Sequence, residues 1–96
     1  MPLFVVLSKL TDEGSKTIKK RPERIKEVNR ELEEMFGVKV LDQYVVLGEY
    51  DFVNIVEAPS TEAVLKAMVE LSRRGTVRTQ TLPAIKVDDF IDMLKE

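Results

Sequence analysis

VKVLDQYVVLGEYDFVNIVEA, residues 38–58, holds two apolar runs parted by a glycine, two acids and a tyrosine. VKVLDQYVVL (38–47) and FVNIVEA (52–58) carry the Val, Ile, Phe and Tyr content of strands. GEYD (48–51) is a hairpin-length connection containing glycine, so the two runs read as neighbouring antiparallel strands.

Outward from this hairpin the chain turns helical on both sides. Downstream, Ser60 is placed as an N-cap and Glu62 in a first turn. Val64, Leu65, Met68 and Leu71 form an inward stripe, and Arg73, Arg74 and Gly75 supply a stop signal. Upstream, Pro22 and Glu23 read as the first turn of a helix with Ile25, Val28, Leu32, Met35 and Phe36 on one face, ended by Gly37. TDEGSKTIKKRPER (11–24) mixes turn residues and charge; Ile18 fits a short helical turn that Pro22 separates from the main helix.

The outermost runs complete the pattern. LFVVLSKL (3–10) is short, β-branched and apolar on both faces. TVRTQTLPAIKV (76–87) is a fourth strand, and Pro83, which cannot donate to a ladder, places it at a sheet edge or bulge. Asp88 is expected to cap a last helix carrying Phe90, Ile91, Met93 and Leu94. The order β-α-β-β-α-β plus a C-terminal helix is ferredoxin-like, an α+β fold in one domain spanning residues 1–96, with both main helices on one face of a four-stranded antiparallel sheet. Yet Leu3, Val5 and Leu7 alternate with Phe4 and Val6, and Val53 and Ile55 with Phe52 and Val56, so the helix-free face is apolar too. The last helix is too short to hide four strands; a second copy packed face to face, as a dimeric α/β barrel, would do so.

Composition narrows the function. At 96 residues the chain hides roughly 60–65% of its unfolded surface alone. Charged residues make up 33% with a net charge of only −2, which disfavours nucleic-acid and membrane partners. Cysteine and histidine are both absent, removing disulfides, thiolate nucleophiles, the usual zinc sets and histidine acid/base work. MPLFVVLSK shows neither a basic leader nor a cleavage site, and LFVVL is too short for a span, so a cytoplasmic protein is expected.

LGEYDFVNIVEAP (47–59) followed by GTVRTQTLPA (75–84) resembles the GYD family, and LTDEG (10–14) and RPERI (21–25) extend the likeness over nearly the whole chain. The resemblance implies a dimeric α/β-barrel protein with no settled activity. GEYD and VRTQTL are also similar to the effector-binding half of leucine-responsive (Lrp/AsnC) regulators, although this chain has no helix-turn-helix domain.

GEYD itself has two readings. As a structural turn, Gly48 supplies positive φ, Asp51 accepts backbone N–H groups across the turn and Tyr50 lies over the sheet end; this is the preferred reading. As a site, Tyr50 and Asp51 sit at a barrel mouth and bind, or exchange a proton with, a small polar molecule, aided by Lys9, Lys86 or Arg78. Asn54, inside an apolar run, needs a buried hydrogen-bond partner. Arg78 alternates with Thr79 and Thr81, two threonines on one face that form a polar lining or simply suit a strand. A ligand site would gather Thr11, Gly48, Tyr50, Asp51, Asn54, Arg78, Thr79 and Thr81. KKRPER (19–24) reads as a solvated basic run before a phosphate site. TDE (11–13) and VDD (87–89) read as turn and cap acids, so no metal and no cofactor is expected. FVNIVEA lacks the stacking aromatics of an RNA-recognition sheet.

The expectation is thus a homodimer or larger homo-oligomer serving as a small-molecule-binding or regulatory module. The alternative is a cofactor-free enzyme of the dimeric α/β-barrel type, monooxygenase or isomerase-like, using Tyr50 and Asp51. An enclosed apolar cavity with those two side chains pointing into it would favour the enzyme.

Overall fold

The structure, a computed structural model, describes residues 1–95. Its elements run β1 (Leu3–Leu10), α1 (Asp12–Lys20), α2 (Arg24–Phe36), β2 (Lys39–Val45), β3 (Phe52–Glu57), α3 (Thr61–Arg74), β4 (Val77–Ala84) and α4 (Val87–Leu94). All four strands join one antiparallel sheet in the order β2-β3-β1-β4. The two most apolar strands, β1 and β3, take the centre, and β4 with Pro83 takes an edge, where a missing N–H costs least. This is the ferredoxin-like α+β fold.

The ladders fix which side chains share a face. Phe4, Val6 and Ser8 on β1 stand beside Val56, Asn54 and Phe52 on β3, and all six are buried. Leu32 from α2 and Val64, Ala67 and Leu71 from α3 close over them, with Val38 and Ala58 sealing the core from the connections. On the other face, Leu3, Val5 and Leu7 stand beside Ile55, Val53 and Leu82. Among the described residues no helix packs substantially on this second face: β1 and β4 gain α1 and α3, and β2 gains α2, all from the buried side. The open face is therefore an apolar centre with Lys9, Arg78, Lys39 and Glu57 towards its margins.

Four local readings need correction. Residues 12–20 form a full nine-residue helix rather than turn and charge, because Thr11 caps it by accepting from the Gly14 amide at 3.1 Å. Gly14 is what lets α1 lie so close: it is buried, and a Cβ there would collide with the Thr76 carbonyl oxygen. Pro22 and Glu23 form a tight entry turn, with Ile25 N–H on the Pro22 carbonyl at 3.2 Å, and α2 begins at Arg24. Met35 and Leu65, placed inward by periodicity, are 56% and 59% exposed; they flank stripes whose centres are Leu32 and Val64. At the last helix, Lys86 holds the N-cap position and Asp88 falls in the first turn.

The C-terminal end leaves the domain. Every residue from Ile85 to Lys95 is exposed, including Val87 at 70% and Leu94 at 69%, and α4 has no substantial packing against the rest of its chain. The molecule is accordingly long and thin, 51 × 29 × 19 Å.

Candidate functional site

The GEYD loop closes one end of the sheet. Val46 N–H donates to the Asp51 carbonyl at 2.8 Å, and Asp51 N–H donates to the Ser8 carbonyl at 2.8 Å. Because β3 begins opposite Ser8, the last residues of β1 run past it, and Asp51 Oδ2 accepts the Leu10 N–H at 2.8 Å in place of a ladder partner. The Asp51 carboxylate thus reaches β1 rather than bonding across its own turn, as the turn reading expected. Gly48 has φ 135° and lies in open space, a conformation that favours glycine. The Tyr50 hydroxyl donates to Gln80 Oε1. Gln80 stands beside Leu7, so Tyr50 crosses the open face.

Thr11 belongs to the same end. Its N–H donates to the Thr76 carbonyl at 3.0 Å and its hydroxyl to the Gly75 carbonyl at 2.8 Å. The remaining expected site residues are divided by the sheet. Arg78 stands beside Lys9 on the open face, whereas Thr79 and Thr81 stand beside Ser8 and Val6 on the helix face, where Asn54 also lies. Tyr50 and Asn54 are therefore on opposite sides of the sheet.

Asn54 opens onto a feature of its own. A chain of side-chain hydrogen bonds crosses the helix face: Asn29 Nδ2 donates to Gln43 Oε1 at 2.8 Å, Gln43 Nε2 to Asn54 Oδ1 at 2.8 Å, and Asn54 Nδ2 to Ser8 Oγ at 3.0 Å. Asn54 gives its other hydrogen to the Val6 carbonyl at 2.7 Å. The four residues come from α2, β2, β3 and β1, and they edge a cavity of about 270 Å³ between sheet and helices. Its other walls are mostly apolar, among them Val28, Leu32, Phe52 and Met68. Of the expected site residues, Asn54 alone lines it; Tyr50 and Asp51 do not, so the arrangement that would favour the enzyme alternative is not formed.

Sequence reasoning singled out Asn54 but not Ser8, Asn29 or Gln43. Asn29 carries a signal, sitting in the inward stripe between Ile25 and Leu32. Gln43 carries none that strict alternation can use. The β2 register slips between Val40 and Asp42, and that bulge turns Gln43 rather than Asp42 towards Asn54.

Charge gathers where α2 meets α3. Arg74 holds Glu31 at 2.5 Å and Glu70 at 2.8 Å, and Arg24 holds Glu31 at 2.9 Å. The hydrogen bonds from Arg74 and then Arg24 keep the Glu31 carboxyl below the ordinary range. Arg73, then Arg74, hold Glu70 down to about 2. In the KKRPER run, Arg21 and Arg24 are both taken up by glutamates, Arg21 pairing Glu27 at 2.8 Å. Arg24 and Arg74 also line the cavity and stay partly solvent-exposed, so they form its charged wall.

A lone ferredoxin-like subunit with one bare apolar sheet face and a detached apolar helix has the surface of a binding module. The chain belongs to the GYD domain family, which matches residues 4–94. It is 60% identical over 95 residues to the glutamine synthetase and cystathionine beta-lyase binding protein of Thermus thermophilus, covering 99% of this chain and 100% of that one. Among solved structures it is similar to MtbAldR (22% identity, TM-score 0.65, 88% of this chain but 52% of the other) and to FFRP-DM1 (25% identity, TM-score 0.58, 88% of this chain and 100% of the other). The chain thus spans about half the length of MtbAldR, and that likeness concerns the fold. These neighbours carry the fold that the Lrp/AsnC resemblance implied. No helix among the described residues is long and apolar enough to cross a membrane.

Proposed function

We propose that this chain is a cytoplasmic, homodimeric regulatory module that binds metabolic enzymes, with a glutamine synthetase and a cystathionine beta-lyase as its partners. The observation that carries this reading is the 60% identity to a Thermus thermophilus protein named for binding those two enzymes, sustained over the full length of both chains. Surface features support it. The centre of the open face, Leu3, Val5, Leu7, Val53, Ile55 and Leu82, is a contiguous apolar patch of the kind that marks protein contacts.

In this reading two surfaces are covered by different partners. The flat sheet face suits a second copy of itself about 10 Å away, as stacked sheets pack. The detached α4, with Phe90, Ile91 and Leu94 exposed, suits an arm reaching across that dimer. The enzyme would then be met by the outer helices and the sheet-end loop, where Leu47 is fully exposed. Sedimentation velocity of the purified chain mixed with purified glutamine synthetase, and separately with cystathionine beta-lyase, tests the reading. Co-sedimentation with either enzyme is expected; independent sedimentation from both at micromolar concentration refutes it.

A further inference from the structure

The cavity between sheet and helices has a chemistry of its own, and this inference does not depend on the enzyme-binding reading. Its polar edge is directional. Asn29 and Gln43 exchange hydrogen bonds at 2.8 and 3.5 Å, Gln43 donates to Asn54 and Asn54 to Ser8, and the Val6 carbonyl that Asn54 also serves pins the amides in one orientation, each bond polarising the next. Asn54 spends both amide hydrogens, on Val6 and Ser8, and Ser8 Oγ accepts. The hydroxyl hydrogen of Ser8 is then left over: it has no acceptor among the hydrogen bonds of the described residues. A relay of three amides ends, on the cavity, in a donor without a partner. Ser8 is only 8% exposed, so bulk water does not readily serve it.

The walls set the rest of the ligand. They are largely hydrocarbon, and the two cations among them, Arg24 and Arg74, are already held by Glu27, Glu31 and Glu70. An anion would lose its hydration without gaining a free cation, which disfavours carboxylates and phosphates. Size follows from volume. A cavity of about 150 Å³ holds benzene, so room for roughly eleven non-hydrogen atoms is expected on that scale in the present cavity of about 270 Å³.

From this geometry we infer that the interior cavity is a binding site for a compact, neutral, mainly hydrocarbon molecule carrying one acceptor oxygen, a carbonyl or ether, which takes the hydrogen bond from Ser8. Asn29, Gln43 and Asn54 are positioning residues that hold the Ser8 hydroxyl as donor. A site of this kind explains why four strand and helix positions facing the core carry polar side chains where apolar ones would pack.

Camphor, a neutral ketone of the required size, is the probe. It is titrated into isotope-labelled protein, with NMR following the side-chain amides of Asn29, Gln43 and Asn54 and the methyls of Val28, Leu32 and Met68. Saturable shifts confined to these groups are expected, with bornane, the same skeleton without oxygen, binding about tenfold more weakly, the worth of one hydrogen bond. Ser8→Ala is expected to weaken camphor by the same factor and leave bornane unchanged. Val28→Phe, which fills the cavity, abolishes the shifts. Absence of saturable shifts at millimolar camphor, or shifts spread over the open face, overturns the site. Equal binding of camphor and bornane by the wild-type chain overturns the role of Ser8 without need of any variant.

Discussion

The two faces of this sheet are built from the same strands and have opposite fates. On the helix face, Phe4, Val6 and Val56 are at most 3% exposed, and even the polar Ser8 and Asn54 are buried with partners. On the open face, the intervening residues Leu3, Val5, Leu7, Val53 and Ile55 are as apolar but only half-buried, and Leu82 and Tyr44 are exposed. One chain has thus provided two apolar sheet faces and the helices to close only one. The difference teaches that apolar alternation on both sides of a strand marks a face in want of a cover, because a solvated face of an antiparallel sheet is ordinarily polar, and the proposed dimer is the cover that the following variants test.

The comparison is broken most sharply by a charge in the open face. Ile55→Glu is expected to weaken self-association by at least about a thousandfold, since two carboxylates would be desolvated per dimer. The far-UV circular dichroism of the subunit should stay unchanged, because Ile55 touches no part of the helix-side core. Phe4→Ala on the helix face is expected to do the reverse, costing about 3–5 kcal/mol of stability in thermal or denaturant unfolding while leaving the open face intact. Asn54→Ala is expected to cost about 1–3 kcal/mol, since Gln43 and the Val6 carbonyl would each lose a buried partner. If both helix-face variants unfolded no sooner than wild type, the distinction between the faces would fail.

The smallest effect concerns pH. Glu70 is held at about 2 against an ordinary 4.5, by Arg73 first and Arg74 second, and Glu31 is lowered in the same direction by Arg74 and Arg24. For carboxyls depressed in the folded state, the stabilisation is complete above the unfolded value of 4.5 and is lost as pH falls towards 2. Thermal melts between those limits should therefore show declining stability with acid, and Glu70→Gln should flatten that slope by melting somewhat below wild type at neutral pH and converging with it in acid.

Much of this was legible in the chain. Apolar runs gave all four strands, Ser60 with Gly75 bounded α3, and the order of elements led to the ferredoxin-like topology with Pro83 on an edge strand. The apolar second face could be read from Leu3, Val5 and Leu7 alone. What escaped depends on contacts distant in sequence. Helix α1 was hidden because Gly14 looks like a breaker, and only the Thr76 carbonyl above it shows why glycine is required. The turn reading of Asp51 could not see that β1 outruns β3 and leaves the Leu10 N–H without a ladder partner. The amide relay waited on a one-residue bulge at Leu41, which reverses the inward and outward residues of β2. Of the eight residues expected at a site, Thr11, Gly48, Tyr50 and Asp51 lie at one sheet end, where the Thr11 and Asp51 side chains bond backbone groups, Arg78 stands on the open face beside Lys9, and Asn54, Thr79 and Thr81 face the other way.

The most direct test is the solution mass of the chain alone, by light scattering at micromolar concentration. A sheet face this apolar and an arm this exposed predict a species of at least twice the 11.0 kDa subunit. A stable monomer would contradict the claim that the open face is an assembly surface.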